Sequence, residues 1–170
     1  MRAMDALPPA ADALAALREL FGIISLATVS GSAEEARRLG FLRPSDGITM
    51  NPDRLLGDAK EAAMRMMRSG YRPSHPSPRS DVRVLGEGGL AELKIGIHQA
   101  RSGGFISEHD ALVAGKLAHV LCGGKLSGAA MVSEQYLLDL EREAFLSLCA
   151  EEKTQARMEH LLNTGKPLRN

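Results

Sequence analysis

Between Asn51 and Gly70 the apolar residues Leu55, Leu56, Ala59, Ala62, Ala63, Met66 and Met67 recur at i, i+1, i+4, i+7 and i+8 intervals, while Arg54, Asp58, Glu61, Arg65 and Arg68 fill the opposite side. A period near 3.6 cannot be presented by an extended strand, so this stretch must be an amphipathic helix. Asn51 supplies a cap, Pro52 a preset first residue and Gly70 a stop. The methionines lie on the same stripe as the leucines and alanines, so they are expected to pack as helix core rather than form an adaptable binding groove.

The rest of the chain repeats this pattern between turns rich in Gly, Ser and Pro. A helix is expected from about Ala10 to Ala27, with Leu14, Leu17, Leu20, Phe21 and Ile24 at helical spacing. Ser32 and Glu35 form a capping-box pair for a short helix over Ala33 to Leu39, which Gly40 closes. Pro73, Pro76 and Pro78 exclude a helix over residues 71–80, which mark the internal seam of a single helical domain or domain fragment spanning residues 1–170. Val82 to Leu85 suits a short strand and Gly88 to Ser102 a helix. Ser107 and Asp110 open another helix through Leu121, apolar nearly all round except at Lys116 and His119 and therefore expected to be buried. Ser133 caps a helix from Glu134 to about Cys149. A last helix runs from Lys153 or Thr154 to Asn163, followed by an extended tail. The fold expected is mainly α, a bundle of about six or seven amphipathic helices with little or no sheet.

The 21 basic and 21 acidic residues cancel, so no net field favours nucleic acid or an anionic membrane. With 44% hydrophobic and 25% charged residues the chain has the composition of a folded domain, able to bury roughly two-thirds of its unfolded surface. No leader pattern opens the chain and no apolar run reaches the length of a membrane span, which suits a cytoplasmic setting. Cys122 and Cys149 stand outside any metal or redox spacing and are expected to be buried free thiols.

Two arrangements invite a chemical reading. Gly86, Gly88 and Ala91 satisfy Gly-x-Gly-x-x-Ala after an apolar strand and before a helix, the pattern that cradles a pyrophosphate. The second strand and acidic residue of a dinucleotide site do not follow, so a glycine-rich helix start is the better reading. Glu108-His109-Asp110 sets a histidine between carboxylates, but His119 is ten residues away, not the one turn that would aim two ligands at a metal. The carboxylates suit a helix N-terminus, and His109 as a general acid or base has no further support. His98 and His160 read as surface or half-buried helix residues, and His75 lies in the proline loop. No catalytic residue and no metal ligand is assigned, and the cofactor-binding residues stay undefined.

Several segments resemble the fused 3-hydroxyacyl-CoA dehydrogenase/enoyl-CoA hydratase proteins of fatty-acid β-oxidation. The most specific are Glu141-Arg142-Glu143-Ala144-Phe145 and Gly165-Lys166-Pro167-Leu168-Arg169-Asn170. Ser30 to Leu42, Gly104 to Asp110 and Lys116 to Gly124 join them in the same order, and the Ala-Glu-Glu-Ala-x-x-Leu-Gly piece is widespread among enoyl-CoA hydratases. Thr28 stands where that family tends to have lysine, and Glu152 where proline is frequent.

The resemblance implies the closing helices of a crotonase-type region, which cover its core and help wall an acyl-CoA site. The family's oxyanion-hole amides, proton-shuttling carboxylate, dinucleotide fold and histidine base are expected upstream of the matching residues. NAD and acyl-CoA would then belong to the full-length enzyme, with no cofactor in this chain. Two readings remain open: part of a β-oxidation enzyme, partnered by the missing upstream portion, or a stand-alone helical module that self-associates into a homo-oligomer and catalyses nothing.

Overall fold

A computed structural model describes residues 12–72 and 79–170. Ala10 at the expected start of the first helix, and His75 with the three prolines of the seam, lie outside the described residues. Seven α-helices occur among the described residues: α1 (Ala13–Ser25), α2 (Ala33–Arg38), α3 (Leu55–Arg68), α4 (Gly86–Ser102), α5 (Glu108–Leu121), α6 (Glu134–Cys149) and α7 (Glu152–Thr164). A 3-10 turn, Pro52–Arg54, leads into α3. The strands β1 (Val82–Val84) and β2 (Ala130–Val132) pair antiparallel, with Val82 opposite Val132, Arg83 opposite Met131 and Val84 opposite Ala130. The chain is mainly helical, as its periodicity requires.

The chain divides into two compact units, Val29–Ser77 and, from the two ends, Met1–Thr28 with Pro78–Asn170. In the larger unit, Leu17 of α1, Leu93 of α4, Ala118 of α5 and Cys122 form the buried centre, ringed by Phe21, Leu85, Leu90, Ile97 and Leu121. Removing each of the two leucines from water contributes about 1.5–3 kcal/mol. α1 contains the whole of its apolar pattern but ends short of the expected Ala27: Asp12 caps it by accepting from the Leu14 N–H at 2.9 Å, and Ala27 has a φ of 50°. A non-glycine residue in the left-handed region cannot continue a right-handed helix.

β1 falls within the strand expected at Val82 to Leu85, whereas its partner β2 was not anticipated. Residues 130–132 carry no strand-length alternating run, and β2 exists because β1 offers it a partner. Val82 and Val84 on β1 are buried at 3% and 2% exposure, which fixes the register through one face. The helix after β1 starts at Gly86 rather than Gly88.

In the smaller unit, Ser32 accepts from the Glu35 N–H at 3.1 Å, as its capping pattern predicts. Glu35 returns the bond one residue further back, accepting from the Gly31 N–H at 2.7 Å. Asn51 caps the 3-10 turn by accepting from the Asp53 N–H at 3.0 Å. The expectation that the α3 stripe is core is overturned: no residue of α3 is buried, and Leu55, Leu56, Met66 and Met67 are exposed. The periodicity made the helix but found no second long helix within its unit to bury it. Burial needs a facing surface, and α2, with only six residues, is too short to be one.

α5 departs from expectation in a similar way. Only His109, Ala114 and Ala118 are buried, while Leu112 is exposed and Val113, Leu117, Val120 and Leu121 are half-buried. Those half-buried residues border a groove.

Candidate functional site: an apolar groove and a capped histidine

The glycine-rich start of α4 is structural. Gly86 adopts φ 61°, and a methyl group there would come within 2.3 Å of the Gly128 carbonyl oxygen and 2.7 Å of that of Leu126. The Gly86 N–H donates to the Cys122 carbonyl at 2.9 Å and the Glu87 N–H to the Leu126 carbonyl at 2.8 Å. These amides at the helix start, which would face a phosphate in a nucleotide site, are bonded to the chain following α5. β1 has an antiparallel partner, not the parallel one that a dinucleotide fold requires. Gly123 and Gly124 complete the junction in left-handed conformations, and Tyr136 Oη donates to the Gly123 carbonyl at 3.0 Å.

Within the larger unit α1, β1, α5 and α6 enclose a groove of about 380 Å³. Its walls are apolar: Leu20 and Ile24 of α1, Val113, Leu117 and Val120 of α5, and Leu137, Leu148 and Phe145 of α6 among others. Polar side chains enter its lining at Arg83, Lys116 and Glu141. Lys116 and Glu141 come from neighbouring helices, so the chemistry available is shape-selective apolar contact with a small number of charges. The sequence singled out Lys116 only as a polar interruption of α5. Phe145 belongs to the specific closing motif and is 54% exposed, so the groove's rim is still open to water.

The sequence-selected cluster at Glu108, His109 and Asp110 stands at the start of α5. Ser107 accepts from the Asp110 N–H, and Asp110 accepts in return from the Ser107 N–H, both at 3.1 Å, giving a complete capping box. Glu108 pairs with Arg101 at 2.6 Å. Asp110 also pairs with Arg157 of α7 at 2.8 Å. Burial alone would raise the Asp110 carboxyl, but the Ser107 amide, the Arg157 guanidinium and the Ser107 hydroxyl outweigh it and hold it below 3.8.

His109 is 4% exposed, and its Nε2 shares a 2.9 Å hydrogen bond with Thr154 Oγ1 of α7. Burial, then the charges of Arg157 and Lys153, push its pKa below 6.5 against the weaker pull of Glu151 and Asp110. The ring is an inward-facing anchor between two helices. Sequence reading missed its partners because Thr154 and Arg157 are 45 and 48 residues away in the chain. Their own i, i+3 spacing on α7 was the available signal that they share a face.

The closing residues 167–170 carry no regular structure, as an extended tail would, but their end is docked on α7. Asn170 accepts from Arg157 Nε at 2.8 Å and donates to the Lys153 carbonyl at 3.1 Å. Arg157 therefore bridges α5 and the C-terminal residue.

Cys122 is fully buried, and burial pushes its thiol up to about 11. Cys149 is half-buried, contrary to expectation, because it occupies the open end of α6. His98 is exposed, and His119 and His160 are half-buried. Among the described residues no three His, Cys, Asp or Glu side chains gather into a group able to hold a metal. No helix among them is long and apolar enough to cross a membrane. In the smaller unit, a smaller depression of about 280 Å³ is lined in part by Asp58, which accepts from Thr49 Oγ1 at 3.1 Å and pairs with Arg54 at 3.4 Å.

No family model matches the chain. No solved structure matches it. Among curated proteins, a probable 3-hydroxyacyl-CoA dehydrogenase of Bacillus subtilis (strain 168) is 48% identical over 159 residues. That similarity takes in 94% of this chain and 20% of the Bacillus protein, so the chain spans about a fifth of the length of the curated relative it matches.

Proposed function

We propose that these residues are the closing helical segment of a fatty-acid β-oxidation enzyme of the 3-hydroxyacyl-CoA dehydrogenase/enoyl-CoA hydratase kind, and that the reacting groups of that enzyme lie outside this chain. The identity of 48% along 94% of the chain carries this reading. The groove between α1, α5 and α6 is consistent with it, because its lining is mostly apolar and its rim, at Phe145, is open to water. NAD and acyl-CoA belong to the longer enzyme, which acts in the cytoplasm. In this chain the helices contribute packing and assembly.

Co-purification tests the assignment. The polypeptide encoded immediately upstream, if it carries dinucleotide-binding and crotonase-type sequences, should form a stoichiometric complex with this chain and oxidise 3-hydroxyacyl-CoA. A related polypeptide of that kind that ignores this chain contradicts the proposal.

A second reading, a self-associating helical module without catalytic activity, draws on the uncovered stripe of α3. Sedimentation of the purified chain separates the two: a stable homo-oligomer with no affinity for dehydrogenase polypeptides favours the module.

A further inference from the structure

The junction between α5 and α7 contains a titratable group that the proposed function does not use. His109 is set in the first turn of α5, almost fully buried, with its Nε2 against Thr154 of α7. One turn along α7, Arg157 reaches back to Asp110 at 2.8 Å and outward to Asn170 at 2.8 Å. Asn170 in turn donates to the Lys153 carbonyl. One hydrogen bond of the histidine and the contacts that Arg157 makes beside it therefore tie α7 and the C-terminal residue to α5.

The charges acting on the ring come from both helices: Arg157 and Lys153 on α7, Glu151 just before it, and Asp110 on α5 itself. Cations and anions balance in number, so the carboxylates leave no surplus to compensate a new positive charge. Protonation turns both ring nitrogens into donors and places a charge where water is largely excluded. We infer that this junction is an acid-released latch, in which proton uptake by His109 sets an uncompensated charge into the buried contact between α5 and α7 and frees α7 together with the segment ending at Asn170. The outer face of α7 prepares it for release, because Leu161 and Leu162 are already exposed and no residue of the helix is buried.

The sign follows from the direction of the shift. His109 is held below its ordinary 6.5, so the released state binds the proton more readily. The latch is closed above pH 6.5 and weakens as pH falls from there toward the folded-state value. Asp110, also held low, acts the same way only in a separate and more acid window, below 3.8. Release that begins as the pH falls below 6.5 therefore belongs to the histidine.

Hydrogen exchange of the 170-residue chain, corrected for intrinsic rates, tests this. Exchange in α7 should rise relative to α4 by about tenfold for each pH unit lost within the histidine window, the slope of one proton taken up on opening. His109→Gln keeps a polar side chain but cannot titrate there, and its α7 exchange should be independent of pH between about 7 and 5. An NMR titration of the His109 ring in the wild type gives a decision even if that variant fails to fold. A midpoint below 6.5 that moves in step with α7 exchange supports the latch. A midpoint at or above 6.5, constant α7 protection, or α4 opening in parallel with α7 overturns it.

Discussion

Substituting the glycines at the start of α4 separates a structural junction from a phosphate cradle. At Gly86, alanine meets two penalties: an L-residue at φ 61° costs about 1–2 kcal/mol, and its methyl group would overlap the Gly128 and Leu126 carbonyls, adding about 1–3 kcal/mol as the loop yields. The sum, about 2–5 kcal/mol, should lower the melting temperature by about 10 °C for a chain of this length. Gly88, two residues on in the same helix, is exposed with nothing within 4 Å of the added methyl group. Gly88→Ala should stabilise by about 0.5–1 kcal/mol through helix propensity. Gly89→Ala belongs between them, because its methyl group would press on Leu85 at 2.7 Å and Leu17 at 3.3 Å. Thermal and urea unfolding of the three variants measures the series directly. Gly86→Ala within about 1 kcal/mol of wild type, or Gly88→Ala as damaging as Gly86→Ala, would refute the junction reasoning.

Other consequences are equally accessible. Leu17→Ala, at 2% exposure, should cost about 2–5 kcal/mol, whereas Leu56→Ala, at 82%, should cost under about 0.5 kcal/mol; equal losses in urea unfolding would show that α3 is core after all. Asp110→Ala removes both the capping box and the Arg157 pair and should cost about 1–3 kcal/mol near neutral pH, the difference from wild type shrinking as pH falls below 3.8. Cys122, with its thiol pushed up to about 11, should resist iodoacetamide in the native chain at pH 8 while half-buried Cys149 reacts first. Mass spectrometry of the labelled peptides reads the order, and early labelling of Cys122 would contradict the buried centre.

Local signals in the sequence carried most of the helical architecture. Ser32, Asn51, Ser107 and Ser133 each announced a helix or turn that the structure caps with that side chain. Such signals work because capping depends on residues two or three apart. What the sequence concealed is non-local. The α3 stripe predicts a helix with certainty of period, yet burial depends on whether another surface faces it. β2 is visible only once β1 is in place, and the His109–Thr154 contact joins helices separated by a whole intervening helix. The groove likewise draws on α1, β1, α5 and α6, so no single segment contains its outline. Lys116 and Glu141 were ordinary charges until the helices brought them to one lining.

The most direct test of the account is turnover by the purified 170-residue chain, measured as hydration of a short enoyl-CoA and as NAD-dependent oxidation of a 3-hydroxyacyl-CoA, alone and with the upstream polypeptide added. The account predicts no turnover alone and both activities in the complex. Sustained turnover by the chain alone would contradict it.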